Sequence, residues 1–346
     1  MAEICGGQAR KSITTSPGAP CQLSLRPYRF MSMRWLKRLL KLFVTLVLLF
    51  LVGGPIAVAL SLYIQLTPGY IDWAGPSETD PMVVGYRGDP KAGLGLDFTE
   101  VSYETPLGLA PAWVIPAPDM TRPWAIFVHG IGGLRSNGYR MVQYLHAAGI
   151  PVLSITYRND AGAPKSPEQL YSFGLFEWPD LAAAVTYARA QGAPKVLIVA
   201  ESMGGAITAQ FLAQSAEAVH VAAIALDAPA LDLPLLLKIK GEDLGIPLSG
   251  YLVDGALMAW ALVKPDLRGA VVYQPVVDFK GPVFLAHSRP DPLVPYETSA
   301  NLMAMRPDIR FLATDSPKHL GSYSADPAAF GAAFNAWIAD AEAAAK

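Results

Sequence analysis

Cysteine is nearly missing from this sequence: Cys5 and Cys21 are the two in 346 residues, and both precede the first long apolar run. The remainder can hold no disulfide and no thiolate metal site. That suits a reducing compartment, and equally an exported domain whose core needs no staples. Charge is sparse as well. Asp, Glu, Lys and Arg make up 16% of the residues and the formal net charge is −2, so no basic face for nucleic acid is expected. The chain has no phosphate-loop lysine pattern, no His-Glu-x-x-His and no clustered metal ligands, and Arg135 takes the third glycine position of the dinucleotide fingerprint that Gly130-Ile131-Gly132 would begin. No cofactor and no metal is implied.

What the chain does have is apolar residues, 52% of the total, enough for one large domain with an appendage. Part of that excess is local. Residues 42–66 carry no charge, and a helix of that length crosses a hydrocarbon core of about 30 Å with some tilt. Arg34, Lys37, Arg38 and Lys41 stand just before it, with Arg26 and Arg29 further back, and no Lys or Arg follows until Arg87. The asymmetry puts the N-terminus in the cytoplasm and the rest of the chain outside it, with Tyr63 and Trp73 at the outer interface. Ala57-Val58-Ala59 resembles a signal-peptidase site, so secretion after cleavage is the alternative to a membrane anchor. Met31 and Met33 are candidate start positions, and residues 1–33 are expected to lie upstream of the true start or to lack a fold.

Residues 67–97 are rich in Pro and Gly and read as a linker. From residue 98 onward strand and helix patterns alternate: a hairpin over 98–104 and 109–115, then strands over 124–128, 151–157, 196–200, 220–226, 283–287 and 309–313. Helical patterns occupy 139–148, 180–191, 203–214, 297–305 and 328–344. Such alternation predicts an α/β domain over 98–346 with a mostly parallel sheet covered on both faces, whose ligands bind at the carboxyl ends of strands. Residues 231–277 interrupt the series; they are strongly apolar and broken by Pro234, Gly241, Gly245, Pro247, Gly250 and Gly255, and are expected to form a cap over the active edge.

The chemistry-bearing residues fall just past predicted strand ends. Val196-Leu197-Ile198-Val199 runs into Ala200-Glu201-Ser202-Met203-Gly204-Gly205 and then a helix. A strand–turn–helix of this kind exposes a serine hydroxyl beside helix N–H groups. His129-Gly130-Ile131-Gly132-Gly133 ends an earlier strand, while Asp291, in Ser288-Arg289-Pro290-Asp291-Pro292-Leu293-Val294-Pro295, and His319, before Leu320-Gly321, come later. Serine attack needs a base to take its proton and a carboxylate to orient that base. Ser202, His319 and Asp291 supply that set, with Asp227 as the rival acid.

Together these motifs resemble the α/β-hydrolase superfamily over residues 98–346, most of all its bacterial esterase and lysophospholipase-like members. The family elbow usually opens with Gly where Ala200 stands here. The resemblance implies Ser202 as nucleophile, Asp291 and His319 as its partners, and the backbone N–H groups of Ile131 and Met203 as oxyanion donors, with His129 and Gly130 shaping the supporting loop. The expected activity is hydrolysis of carboxylic esters through an acyl-enzyme. The apolar segment 231–277 and the aromatics Tyr171, Phe173, Phe176 and Trp178 suggest a small-molecule or lipid ester with an apolar acyl group. Acyl transfer or amide and peptide hydrolysis on the same residues remains open, as does a non-catalytic membrane-anchored scaffold.

Overall fold

Strand Trp124–Val128 reads WAIFV, and its alternate side chains enter two different cores: Ile126 and Val128 one, Ala125 and Phe127 the other. Strand Val196–Glu201 divides the same way, with Ile198 and Ala200 on one face and Leu197 and Val199 on the other. A period of two with both sets apolar means a sheet buried on both sides.

The computed structural model describes residues 33–69 and 77–346. Cys5, Cys21, Trp73 and the whole of residues 1–32 lie outside the described residues. Two compact units are distinguished, Met1–Leu48 and Leu49–Lys346. The described part of the first is helix α1 (Met33–Leu48), whose Arg34, Lys37, Arg38 and Lys41 recur at i, i+3, i+4 and i+7 and so share one face. The second opens with a π-helical turn and helix α2 (Gly54–Leu66). Met33–Leu66 is one apolar helical run of 34 residues, long enough to cross a membrane or to serve as a signal sequence.

The second unit continues with α3 (Pro90–Leu94), β1 (Thr99–Thr105), β2 (Gly108–Ile115), β3 (Trp124–Val128), α4 (Tyr139–Ala147), β4 (Val152–Ile155), α5 (Trp178–Ala190), β5 (Val196–Glu201), α6 (Met203–Gln214) and β6 (Val221–Asp227). Then come α7 (Leu233–Asp243), α8 (Ser249–Ala261), α9 (Tyr273–Asp278), β7 (Val283–Ser288), α10 (Glu297–Met305), β8 (Arg310–Thr314), α11 (Ser322–Ala325) and α12 (Pro327–Ala344). The eight strands pair in the order β1-β2-β4-β3-β5-β6-β7-β8. β1–β2 and β2–β4 are antiparallel, and every pair from β4 to β8 is parallel. One face is covered by α5 and α6 through Leu181, Ala184, Ala206 and Ile207, the other by α4 and α12 through Met141, Leu145, Phe330, Phe334 and Trp337.

Two segments make contacts that their sequence reading left unspecified. The described part of the 67–97 segment is tied to the domain: Gly85 N–H donates to Asn137 Oδ1 at 3.3 Å, Tyr139 O–H donates to Gly88 O at 2.9 Å, and Ser136 O–H donates to Tyr86 O. The apolar segment 231–277 forms α7, α8 and α9, but α8 packs along α2: the Tyr63 and Trp260 rings lie 6.3 Å apart, and Tyr251 O–H donates to Leu51 O at 3.0 Å. Its buried residues Leu233, Leu236, Val253, Leu257 and Trp260 join the core cluster, and α8 adds the contact with α2.

Candidate active site

The elbow between β5 and α6 holds Ser202 at φ 51°, ψ −122°, a left-handed conformation that an L-residue adopts only when its surroundings force it. Three backbone hydrogen bonds impose it. Ser202 N–H donates to Asp227 O at 3.0 Å, and Ser202 O accepts from Gly205 N–H and from Ala230 N–H, each at 3.0 Å. The turn also needs room. A Cβ at Gly204 would stand 2.3 Å from Val128 O, and one at Gly130 would stand 2.9 Å from Ser202 Cβ, so both positions are closed to any side chain.

His319, in the loop between β8 and α11, reaches the serine. Its Nε2 lies 3.0 Å from Ser202 Oγ, and its Nδ1 lies 2.8 Å from Asp291 Oδ2. Asp291 follows β7, and its other oxygen accepts from Leu293 N–H at 2.8 Å and Val294 N–H at 2.9 Å. Burial pushes the Asp291 carboxyl up, but the His319 hydrogen bond and charge and the two N–H donors outweigh it, leaving its pKa below the ordinary carboxylate value. Residues 117 and 28 positions apart in sequence thus stand in one hydrogen-bonded row at the carboxyl ends of β5, β7 and β8.

The donor side of the site is open. Met203 is the first residue of α6 and has no intrahelical acceptor for its N–H, and no partner for the Ile131 N–H occurs among the described residues. Ile131, Gly130 and Ser202 line one cavity of about 390 Å³. Across it stand Glu78, Met82, Val83 and Val84 from the segment before α3, with Leu293, Lys318, His319 and Leu320 from the far loops. Among its described lining residues none belongs to the 231–277 segment, and none is Tyr171, Phe173, Phe176 or Trp178. Tyr171 and Phe173 are buried in the core, where Tyr171 O–H donates to Asp160 Oδ1 at 3.0 Å. Trp178 packs against the same core, partly buried.

His129 is fully buried, and both of its ring nitrogens are engaged by groups other than Ser202. Its Nε2 lies 3.0 Å from Asp160 Oδ2, its Nδ1 lies 2.8 Å from Gly130 O, and its ring stacks on Tyr157 with centroids 4.4 Å apart. Burial pulls its pKa down, but the Asp160 charge and hydrogen bond with the Gly130 carbonyl raise it above the ordinary imidazole value. His287 is the other buried histidine near the row, bonded through Nδ1 to Ser299 Oγ at 2.6 Å and through Nε2 to Val294 O at 3.0 Å. Burial lowers its pKa, and the nearby Asp291 charge pulls back less strongly.

Asp227, the rival acid, is otherwise engaged. Arg140 on α4 reaches its Oδ2 through Nη2 at 2.8 Å and Nε at 3.1 Å, and reaches Glu201 Oε2 through Nη2 at 2.6 Å. All three side chains are buried. Burial alone would lower the Arg140 pKa, yet the Glu201 and Asp227 charges raise it. This arginine and Asp160 support the elbow and the His129 loop, and sequence gave no sign of either: Arg140 sits among the apolar residues of a helix, and Asp160 looks like any loop acid. Among the described residues no group of three or more His, Cys, Asp or Glu is placed to hold a metal ion.

A family model described as alpha/beta hydrolase family matches residues 125–345, well over half of the chain. The chain belongs to the alpha/beta hydrolase family. Solved structures agree on the fold. The Pyrococcus furiosus esterase Pf2001 superposes with a TM-score of 0.56 at 19% identity, over 75% of this chain and 98% of that one. Est1E from Butyrivibrio proteoclasticus, solved with ferulic acid bound, gives 0.52 at 16% identity over 70% and 99%. No curated protein matches this hydrolase by sequence. The sheet with helices on both faces is the architecture that the sequence motifs implied for this family.

Proposed function

We propose that this hydrolase cleaves carboxylic esters by the serine mechanism, with Ser202 as nucleophile, His319 as general base and acid, and Asp291 as the carboxylate that orients the imidazole. The observation that carries this reading is the row Ser202 Oγ–His319 Nε2 at 3.0 Å and His319 Nδ1–Asp291 Oδ2 at 2.8 Å, built on a serine held at positive φ. As Oγ attacks the ester carbon, its proton passes to His319 Nε2, and the carbonyl oxygen takes up the charge between the N–H groups of Ile131 and Met203. Nε2–H then protonates the alkoxide, the C–O bond breaks, and the alcohol leaves an acyl group on Oγ. Water repeats the sequence: Nε2 takes its proton, the acyl carbon gains its oxygen, and Oγ leaves with the proton as the acid is released.

The substrate proposed is an ester with an apolar acyl group small enough for a cavity of about 390 Å³ walled by Met82, Val83, Val84, Leu293 and Leu320. The basic flank and uncharged run of residues 34–66 support a membrane anchor with the N-terminus cytoplasmic and the hydrolase domain outside. A fluorophosphonate probe should label the wild-type chain and leave Ser202→Ala unlabelled. Turnover of p-nitrophenyl esters should fall by roughly 10⁴-fold or more in Ser202→Ala and in His319→Ala. Equal labelling of wild type and Ser202→Ala would overturn the assignment.

A further inference from the structure

Helix α8 lies beside α2 in close register. A Cβ at Gly54 would come 2.6 Å from Leu252 Cδ2, and one at Gly255 would come 2.9 Å from Pro55 Cγ, so the two backbones meet across glycines. Tyr251 bonds Leu51 at one end and Trp260 meets Tyr63 at the other, so residues 251–260 run parallel to residues 51–63.

Crossing the hydrocarbon core takes about 20 helical residues, and every such window within the uncharged run 42–66 contains residues 47–61. If that run is in the bilayer, most of the stretch of α2 that α8 touches is in it too. The surface of α8 agrees. Tyr251, Met258 and Leu262 form an exposed stripe, and residues 242–248, the end of α7 and the loop 244–248 that joins it to α8, are all exposed. Within that loop Leu244 is 75% exposed and Leu248 60%, apolar surface that water does not favour.

We infer that α7, α8 and the loop between them are a second lipid-embedded element, a hairpin that enters the bilayer beside α2 without crossing it. The inference rests on the anchoring reading above. Its 13 residues give α8 a length of about 20 Å, too short to span. The hairpin's charges are mostly paired: Lys238 Nζ lies 2.8 Å from Asp254 Oδ1, and Lys240 Nζ lies 2.8 Å from Asp243 Oδ2. Glu242 is exposed and has no salt-bridge partner among the described residues, so it is the one of these charges that embedding would have to offset by other means. Embedding would also account for a large apolar insertion none of whose residues lines the cavity at Ser202.

The test uses the full chain with Cys5→Ser and Cys21→Ser, into which a single cysteine is placed by Leu248→Cys, Leu262→Cys or, as a water-facing reference, Val219→Cys, which is 69% exposed on the domain. Each is labelled with the environment-sensitive fluorophore NBD and reconstituted in phosphatidylcholine vesicles containing doxyl-labelled lipid; unchanged ester turnover reports an intact fold. Probes at 248 and 262 should lose about half or more of their emission to the doxyl lipid and resist iodide, as expected within hydrocarbon, while the probe at 219 behaves in the opposite way. Carbonate extraction of the same vesicles tests the anchor separately. A chain that stays in the vesicles while probes at 248 and 262 match the one at 219 overturns the hairpin alone. A chain that washes off overturns the anchor and the hairpin with it.

Discussion

Arg140 is the residue whose loss should be felt most widely for the least chemistry. It lies outside the row of Ser202, His319 and Asp291, yet among the described residues its guanidinium is the cation that bridges two buried carboxylates, Glu201 and Asp227, and it also donates to the Asn137 carbonyl. Replacing it in Arg140→Met keeps much of the buried volume and strands both acids. Breaking a buried ion pair by removing one partner costs about 3–5 kcal/mol, because the remaining charge has neither water nor a counter-ion. At about 2–4 °C per kcal/mol for a domain of this size, the melting temperature should fall by roughly 6–20 °C. The compensated triple change, Arg140→Met with Glu201→Gln and Asp227→Asn, removes the stranded charges and should recover more than half of the loss. Thermal melts of the full chain in detergent, followed by circular dichroism, make the comparison. Fluorophosphonate labelling should slow as well, since Glu201 precedes Ser202 directly and Asp227 O accepts the Ser202 N–H. A single variant within about 1 kcal/mol of wild type, or a triple variant no more stable than the single, would refute the reasoning.

Three further outcomes are expected. Because the His129 pKa is raised in the fold, its pairing with Asp160 contributes fully below the unfolded value near 6.5 and is lost as pH rises through the folded value. The urea-midpoint gap between wild type and Asp160→Asn should therefore shrink from about pH 6.5 upward, and a gap constant to pH 9 would contradict it. Gly204→Ala would bring a methyl 2.3 Å from the Val128 carbonyl, a backbone atom that cannot swing aside; a destabilisation of about 1–3 kcal/mol or more is expected, and a melt indistinguishable from wild type would count against the elbow geometry. Met82→Ala should enlarge the cavity and raise kcat/KM for longer acyl esters relative to shorter ones, at about 1–3 kcal/mol per methylene accommodated; an unchanged chain-length profile would place the acyl group elsewhere.

The candidate site was legible as a spatial cluster because its parts obey local rules. A buried strand, one serine and two glycines before a helix leave few backbone solutions, so the elbow at Ser202 follows from eight or so neighbouring residues. The positions of Asp291 and His319 followed from chain order and strand ends. Their supports did not, because nothing local distinguishes Arg140 or Asp160: each is defined by partners 87 and 31 residues away, Asp227 and His129 respectively. The walls of the cavity were missed for a similar reason. A Pro- and Gly-rich stretch reads as a linker whether or not it is pinned, and what pins residues 82–86 is Asn137 and Ser136 on another element.

The segment 231–277 carries the sharper lesson. Its apolar content says only that its surface is unfavourable in water, not what that surface meets. By composition the insertion reads as a cap and the N-terminal run as an anchor, two apolar surfaces with nothing in the sequence to pair them. The structure sets α8 against α2, with Tyr251, Leu252, Gly255 and Trp260 meeting residues 51–63. Once the two surfaces are taken together, the cavity at Ser202 needs another wall, and Met82, Val83 and Val84 supply it. On the proposed anchor and hairpin, substrate selection and membrane attachment would fall to different segments, so changes at Leu248 or Leu262 should alter lipid contact without altering which soluble ester is cleaved.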